Sequence, residues 1–207
     1  MDPSLMDTLT YRPMILADLD TVPVGCHGAR DAIVKRIGDL GAAAILAFDG
    51  EKHVAQLQFR RYQRTLRSPD GLWDPLYWGD FGLHAPSLPY DTLSVFCYHV
   101  GQLEDSEARD ASYQGRGIGL ALLDYFLQWA SDGGYSAAIA KCTPSARSIM
   151  SFMGGQPSEA YVERGFALTE SWVDSQLRDV IQEKKLVPEG VDLDDAARVG
   201  CCVKLFD

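Results

Sequence analysis

The stretch Tyr113-Gln114-Gly115-Arg116-Gly117-Ile118-Gly119 decides how this chain is read. It lies between an apolar run, Thr92 to Val100, and a helical stripe formed by Ile118, Leu122, Tyr125 (or Phe126) and Trp129. Glycines at alternate positions leave the backbone uncovered, so successive N–H groups can converge on one anion. The positive end of the helix dipole falls at the same point, and a pyrophosphate suits that geometry. The plain alternative is a glycine-rich helix start with no ligand.

Outward from this loop the pattern is mixed α and β. The helix closes at Asp132-Gly133-Gly134, where glycine can take the left-handed cap. Ser136 to Lys141 reads as a strand, Ser145 to Met153 as a helix, and Ser158 to Arg164 as a second short helix after Pro157. Phe166 to Val173 reads as a strand, Gln176 to Lys185 as a polar helix, and Arg198 to Phe206 as a last strand. Upstream, Thr10 to Leu16 is a first strand, with Asp18 or Asp20 placed to open a helical turn. Ala29, Ile33, Ile37 and Leu40 recur at helical spacing. Ala43 to Phe48 and Val54 to Arg61 form a hairpin through Asp49-Gly50-Glu51-Lys52. Hairpins first and a strand–helix–strand unit later predict a largely antiparallel sheet with one parallel pair.

Residues 64–91 differ in character. Pro69, Pro75, Pro86 and Pro89 alternate with Gly71, Gly79 and Gly82, among Trp73, Tyr77, Trp78 and Phe81. Disordered segments seldom carry so many large rings, so an ordered insertion within a single domain over 1–207 is expected. With Asp74 and Asp80 these rings could form a wall that draws in a cation. The competing readings are a satellite hydrophobic cluster or a homodimer contact.

The formal charge of −10 argues against a nucleic-acid partner, because a polyanion needs a basic face. No run approaches the roughly 18 apolar residues of a membrane span. The N-terminal Met1-Asp2-Pro3-Ser4 lacks the basic and apolar character of a signal peptide. Five cysteines without paired metal spacing read as reduced thiols, so a cytoplasmic location and no metal site are expected. Cys26-His27 has no second ligand pair, and Cys142 and Cys201-Cys202 read as core residues.

The ligand of the loop can be narrowed. A dinucleotide fingerprint would need glycine where Leu120 stands, and the lysine of a Walker loop is absent. What remains, Gln114-x-x-Gly117-x-Gly119, resembles the pyrophosphate loop of the GNAT acyltransferase superfamily. Tyr161-Val162-Glu163-Arg164-Gly165-Phe166 is similar to the same superfamily's Y-x-x-x-G-F turn, and Tyr11-Arg12-Pro13 to its first strand. The resemblance spans nearly the whole chain. It implies an α+β fold, a mostly antiparallel sheet of about seven strands flanked by helices, with one parallel pair around a cofactor cleft.

The resemblance further implies acetyl-CoA as cofactor and transfer of an acetyl group to a primary amine, on a small molecule or a peptide. A catalytically silent acyl-CoA-binding module is the rival reading. The cofactor's phosphates would rest on Gln114, Gly115, Arg116, Gly117, Ile118 and Gly119, and its pantetheine arm on the backbone from Tyr98 to Val100. Tyr161 would donate a proton to the leaving sulfur, the alternative being a packed aromatic. His99 is a candidate general base, with Glu104 or Asp105 beyond it, and a buried structural histidine fits its place on the strand equally well. Two stretches depart from the family pattern: Gln102 to Ser112 before the loop, and Gly154-Gly155 with Pro157 ahead of Tyr161.

Overall fold

Residues 8–26, 28–64, 76, 78–106 and 108–206 are described in this computed structural model. Strand β1 (Leu9–Pro13) pairs with its neighbour through one further bond, from the N–H of Met14 to the carbonyl of Ala44 at 2.8 Å. The sequence pattern carried this strand on to Leu16. Instead the chain turns into a short 3-10 helix, Leu16–Asp20, held by Asp18, whose carboxylate takes two bonds from Arg12 at 2.6 and 2.7 Å and one from the N–H of Ile15. Helix α1 (Arg30–Leu40) follows and stops where Gly41, at φ 85°, makes the left-handed cap.

Strands β2 (Ala44–Asp49) and β3 (Lys52–Arg61) form the expected hairpin. A short helix α2 (Phe81–His84) precedes β4 (Leu93–Val100). Helix α3 (Ile118–Asp132) then crosses to β5 (Ala137–Cys142). The remaining elements are α4 (Arg147–Met153), α5 (Ser158–Val162), β6 (Ala167–Val173), α6 (Ser175–Lys184), α7 (Leu193–Ala196) and β7 (Arg198–Leu205). The seven strands lie in the order β1-β2-β3-β4-β5-β7-β6. Every neighbouring pair is antiparallel except β4 and β5. The α+β sheet expected from the sequence is the one observed.

Helix α3 lies across one face of this sheet. Its Ile118, Leu122 and Phe126 are buried against Leu57, Phe59, Leu93 and Val95. Each such side chain contributes about 1.5–3 kcal/mol of burial, so the stripe fixes α3 and with it the position of the loop that starts it. On the opposite face α1 and the 3-10 turn cover β2 through Leu19, Ile33, Ile37 and Leu46.

The described part of the insertion forms a satellite core, one of the readings left open by its composition. Leu76, Phe81 and Ala85 pack with Trp172, Leu177 and Ile181, over the β5, β7 and β6 half of the sheet. Asp80 receives the N–H and hydroxyl of Ser175, tying the insertion to the start of α6. Beneath it Lys141 Nζ donates to Asp174 at 2.7 Å and to the carbonyl of Trp78 at 2.8 Å. Trp73, Asp74 and Tyr77 lie outside the described residues.

Candidate active site

A single extra residue organises the region around β4. Phe59 faces Val95 and Gln58 faces Cys97, so Phe96 is a bulge. Leu93 and Val95 point toward α3, and after the bulge Tyr98 and Val100 take that side. Cys97 and His99 therefore join Gln58 and Gln56, their cross-strand partners, on the opposite face. Plain alternation along β4 would put His99 on the side of Leu93 and Val95, and the bulge reverses it. Tyr161 is on the α3 face with Tyr98, so the two candidate catalytic side chains, Tyr161 and His99, are separated by the sheet.

The same bulge coincides with the end of the parallel pairing. β4 and β5 are matched only at Leu93 with Ala138, Ser94 with Ile139, and Val95 with Ala140. Beyond Val95 the strands part and leave a slot. The chain itself occupies that slot: the N–H of Tyr98 donates to the carbonyl of Gly154 at 2.9 Å. On the other bank the N–H of Thr143 donates to the carbonyl of Gln156 at 2.9 Å, and Thr143 bridges to Pro157 in parallel fashion.

Only glycine fits there. A Cβ at 154 would lie 2.6 Å from Cys97 Sγ, and one at 155 would lie 2.6 Å from Thr143 Cγ2. Gly154-Gly155, a departure from the family pattern, is thus the backbone that slides between two parted strands. The amide of Gln156 reaches the start of α3, where a Cβ on Gly119 would meet its Nε2 at 3.0 Å.

The loop at the head of α3 is open by contrast. Gly115 and Gly117 have φ of 69° and 86°, and a Cβ on either would meet nothing within 4 Å. Leu120 and Ala121 both donate to the carbonyl of Gly117. The N–H groups from Gly115 to Gly119 have no protein acceptor among the described residues, as expected for a helix start. Ile118 contributes only its N–H, because its side chain is buried in the core. Gln114 is turned aside: its Oε1 accepts from Arg147 on α4 at 3.1 Å. Arg147 escaped the sequence reading, since only the fold carries it to the loop that holds Arg116.

Tyr161 is 1% exposed, and its hydroxyl lies 3.3 Å from that of Tyr98. Burial, then the neighbouring Tyr98, push the Tyr161 hydroxyl well above the ordinary phenol range, so it stays protonated and can serve as a proton donor. Burial raises Tyr98 as well. Phe166 packs edge-on against Tyr161 at 5.2 Å, which is the role of the Gly-Phe turn in this chain.

On the far face, Asp105 accepts from the N–H of Val24 at 2.6 Å and of Gly25 at 3.3 Å. The connection from Gln102 to Ser112 therefore clamps the loop that carries Cys26. Cys26 Sγ receives the thiol of Cys97 at 3.5 Å. That bond, with His99 and the charge of Arg109, outweighs burial and holds the Cys26 thiol down to about 5. The sequence reading missed this group, because Cys26 and Cys97 are brought together only by the fold.

This seven-stranded sheet, with its one parallel pair and flanking helices, is the fold of solved GNAT-family acetyltransferases. An acetyltransferase of the GNAT family from Streptococcus pneumoniae superposes with a TM-score of 0.54 at 13% identity, covering 96% of this chain and 99% of that one. The structure of yncA from Salmonella typhimurium with its cofactor acetyl-CoA gives 0.52 at 16% identity, covering 97% and 95%. A mosquito arylalkylamine N-acetyltransferase like 5b gives 0.52 at 14%, covering 96% and 100%. No family model matches the sequence, and no curated protein does. Among the described residues no helix is long and apolar enough to cross a membrane.

Proposed function

We propose that this chain is an acetyl-CoA-dependent N-acetyltransferase that acts on a primary amine by direct attack. The observation that carries the reading is the run of unpaired N–H groups from Gly115 to Gly119, at the head of a buried helix beside a parallel strand pair that parts. These groups suit a pyrophosphate, and Arg116 and Arg147 add positive charge beside them. Acetyl-CoA would supply an activated thioester.

Tyr161, protonated and buried, is the residue suited to hand a proton to a departing sulfur. Direct attack requires no nucleophile from the enzyme, which suits a site without a Ser-His-Asp set. His99 lies across the sheet from Tyr161, away from the sulfur that Tyr161 would protonate. The net charge of −10 favours a cationic acceptor, and one structure of the same fold is named for an arylalkylamine.

The fit is incomplete at one place. The phosphate end is open, whereas the backbone of Tyr98, expected to pair with the pantetheine arm, already pairs with Gly154. Entry of the arm therefore requires residues 154–157 to withdraw. That occupancy favours a second reading, in which the chain holds the carrier without turning it over.

Release of free thiol from acetyl-CoA, measured against a panel of amines, separates the two. An active enzyme releases thiol with at least one amine, and Tyr161→Phe lowers kcat by about 10²-fold or more while the CoA thermal shift persists. Thermal stabilisation by acetyl-CoA with no release for any amine would establish the silent module instead.

A further inference from the structure

Three side chains with ligand chemistry converge on the face of β4 that is turned away from Tyr161. Cys26 Sγ, Cys97 Sγ and a ring nitrogen of His99 all lie within 4.8 Å of one another. We propose that Cys26, Cys97 and His99, the three ligands among the described residues, form a binding site for a zinc-type divalent cation.

The two sulfurs are 3.5 Å apart. Two thiolates at about 2.3 Å from a tetrahedral zinc stand about 3.8 Å apart, so little movement converts the pair into ligands. Two thiolates and a neutral imidazole balance a divalent charge, and binding would release the thiol protons to solvent. Donors of this softness select zinc over calcium or magnesium.

The imidazole supplies the independent sign of a ligand. His99 is 7% exposed, yet its Nε2 has no hydrogen-bond partner. A buried ring nitrogen is normally satisfied, and a bound cation would supply the partner that this one lacks.

The surroundings are built to hold the geometry. Gly25, at φ 60°, lies against the ring, for a Cβ there would come within 3.0 Å of His99 Nε2. The glycine lets the loop pass close enough to set Cys26 beside the imidazole. Asp105 grips the N–H groups of Val24 and Gly25, and Gln58 Nε2 donates to the carbonyl of Val24 at 3.1 Å. Gln56 Nε2 fixes the carbonyl of Pro23 at 2.7 Å. The cysteines are 71 positions apart, so no local motif announces the site.

The test uses the full chain, reduced and washed free of metal, titrated with Co²⁺ and then with Zn²⁺. One equivalent of Co²⁺ should bring up a thiolate-to-cobalt charge-transfer band and tetrahedral d–d bands, and Zn²⁺ should abolish both. His99→Ala keeps both thiols and should bind at least about tenfold more weakly. Cys26→Ser, on the loop, should lose much of the charge-transfer band and gives the same reading should His99→Ala not fold. An absent band at excess Co²⁺, or affinity unchanged in both variants, overturns the site.

Discussion

The head of α3 and the slot between β4 and β5 adjoin each other, and they are opposite in state. At the head of α3, Gly115 and Gly117 face open space and their N–H groups are unpaired. In the slot, Gly154 and Gly155 are packed against Cys97 and Thr143, and the backbone on both banks is already paired. Glycine serves both places for different reasons: in the loop it uncovers donors, and in the slot it lets one strand-like segment lie between two others. The difference teaches that one cleft can keep open donors at one end while its other end is filled by the chain itself.

The contrast can be broken by putting the same side chain at both places. Gly154→Val combines a left-handed φ of 63° with a contact of 2.6 Å at Cys97 Sγ, so a loss of about 3 kcal/mol is expected in urea unfolding. A cost no larger than at Gly117 would mean the slot segment is loosely held. Gly117→Val meets no neighbour and bears only the backbone strain at φ 86°, about 1–2 kcal/mol. It should nonetheless abolish the thermal shift given by coenzyme A, and an intact shift would remove the pyrophosphate from this loop.

The filled end should also show in alkali. Burial raises both Tyr98 and Tyr161, so the folded chain keeps protons that the unfolded chain loses above pH about 10. Their contribution is complete below that pH and declines as pH rises, by up to about 1.4 kcal/mol per pH unit for each hydroxyl. Urea midpoints between pH 9 and pH 11 in the wild type and in Tyr98→Phe should diverge, the variant falling less steeply. Parallel curves would mean the hydroxyls are reached by water.

Much of the fold was legible because its signals are local. The Asp49-Gly50 turn, the stripe of α3 and the glycines at 115, 117 and 119 each announce themselves within a few residues. The site was legible only in part. The bulge at Phe96 is invisible to alternation, and it decides that His99 and Tyr161 lie on opposite faces. Gly154-Gly155 could be seen as a departure, but its meaning depends on β4 and β5 parting beyond Val95 and Ala140, which no local pattern reports because the two positions are far apart in sequence. The approach of Cys26 to Cys97 and of Arg147 to Gln114 is likewise made by tertiary packing alone. Strand β1 stops earlier than hydrophobicity suggested, because the Asp18 carboxylate takes the N–H of Ile15 and turns the chain into a 3-10 helix.

Amide hydrogen exchange across residues 114–119, with and without saturating coenzyme A, tests the central claim most directly. Exchange at Gly115 to Gly119 should slow when the carrier's phosphates take up the unpaired donors. Binding of coenzyme A that leaves exchange at these five amides unchanged would contradict the account.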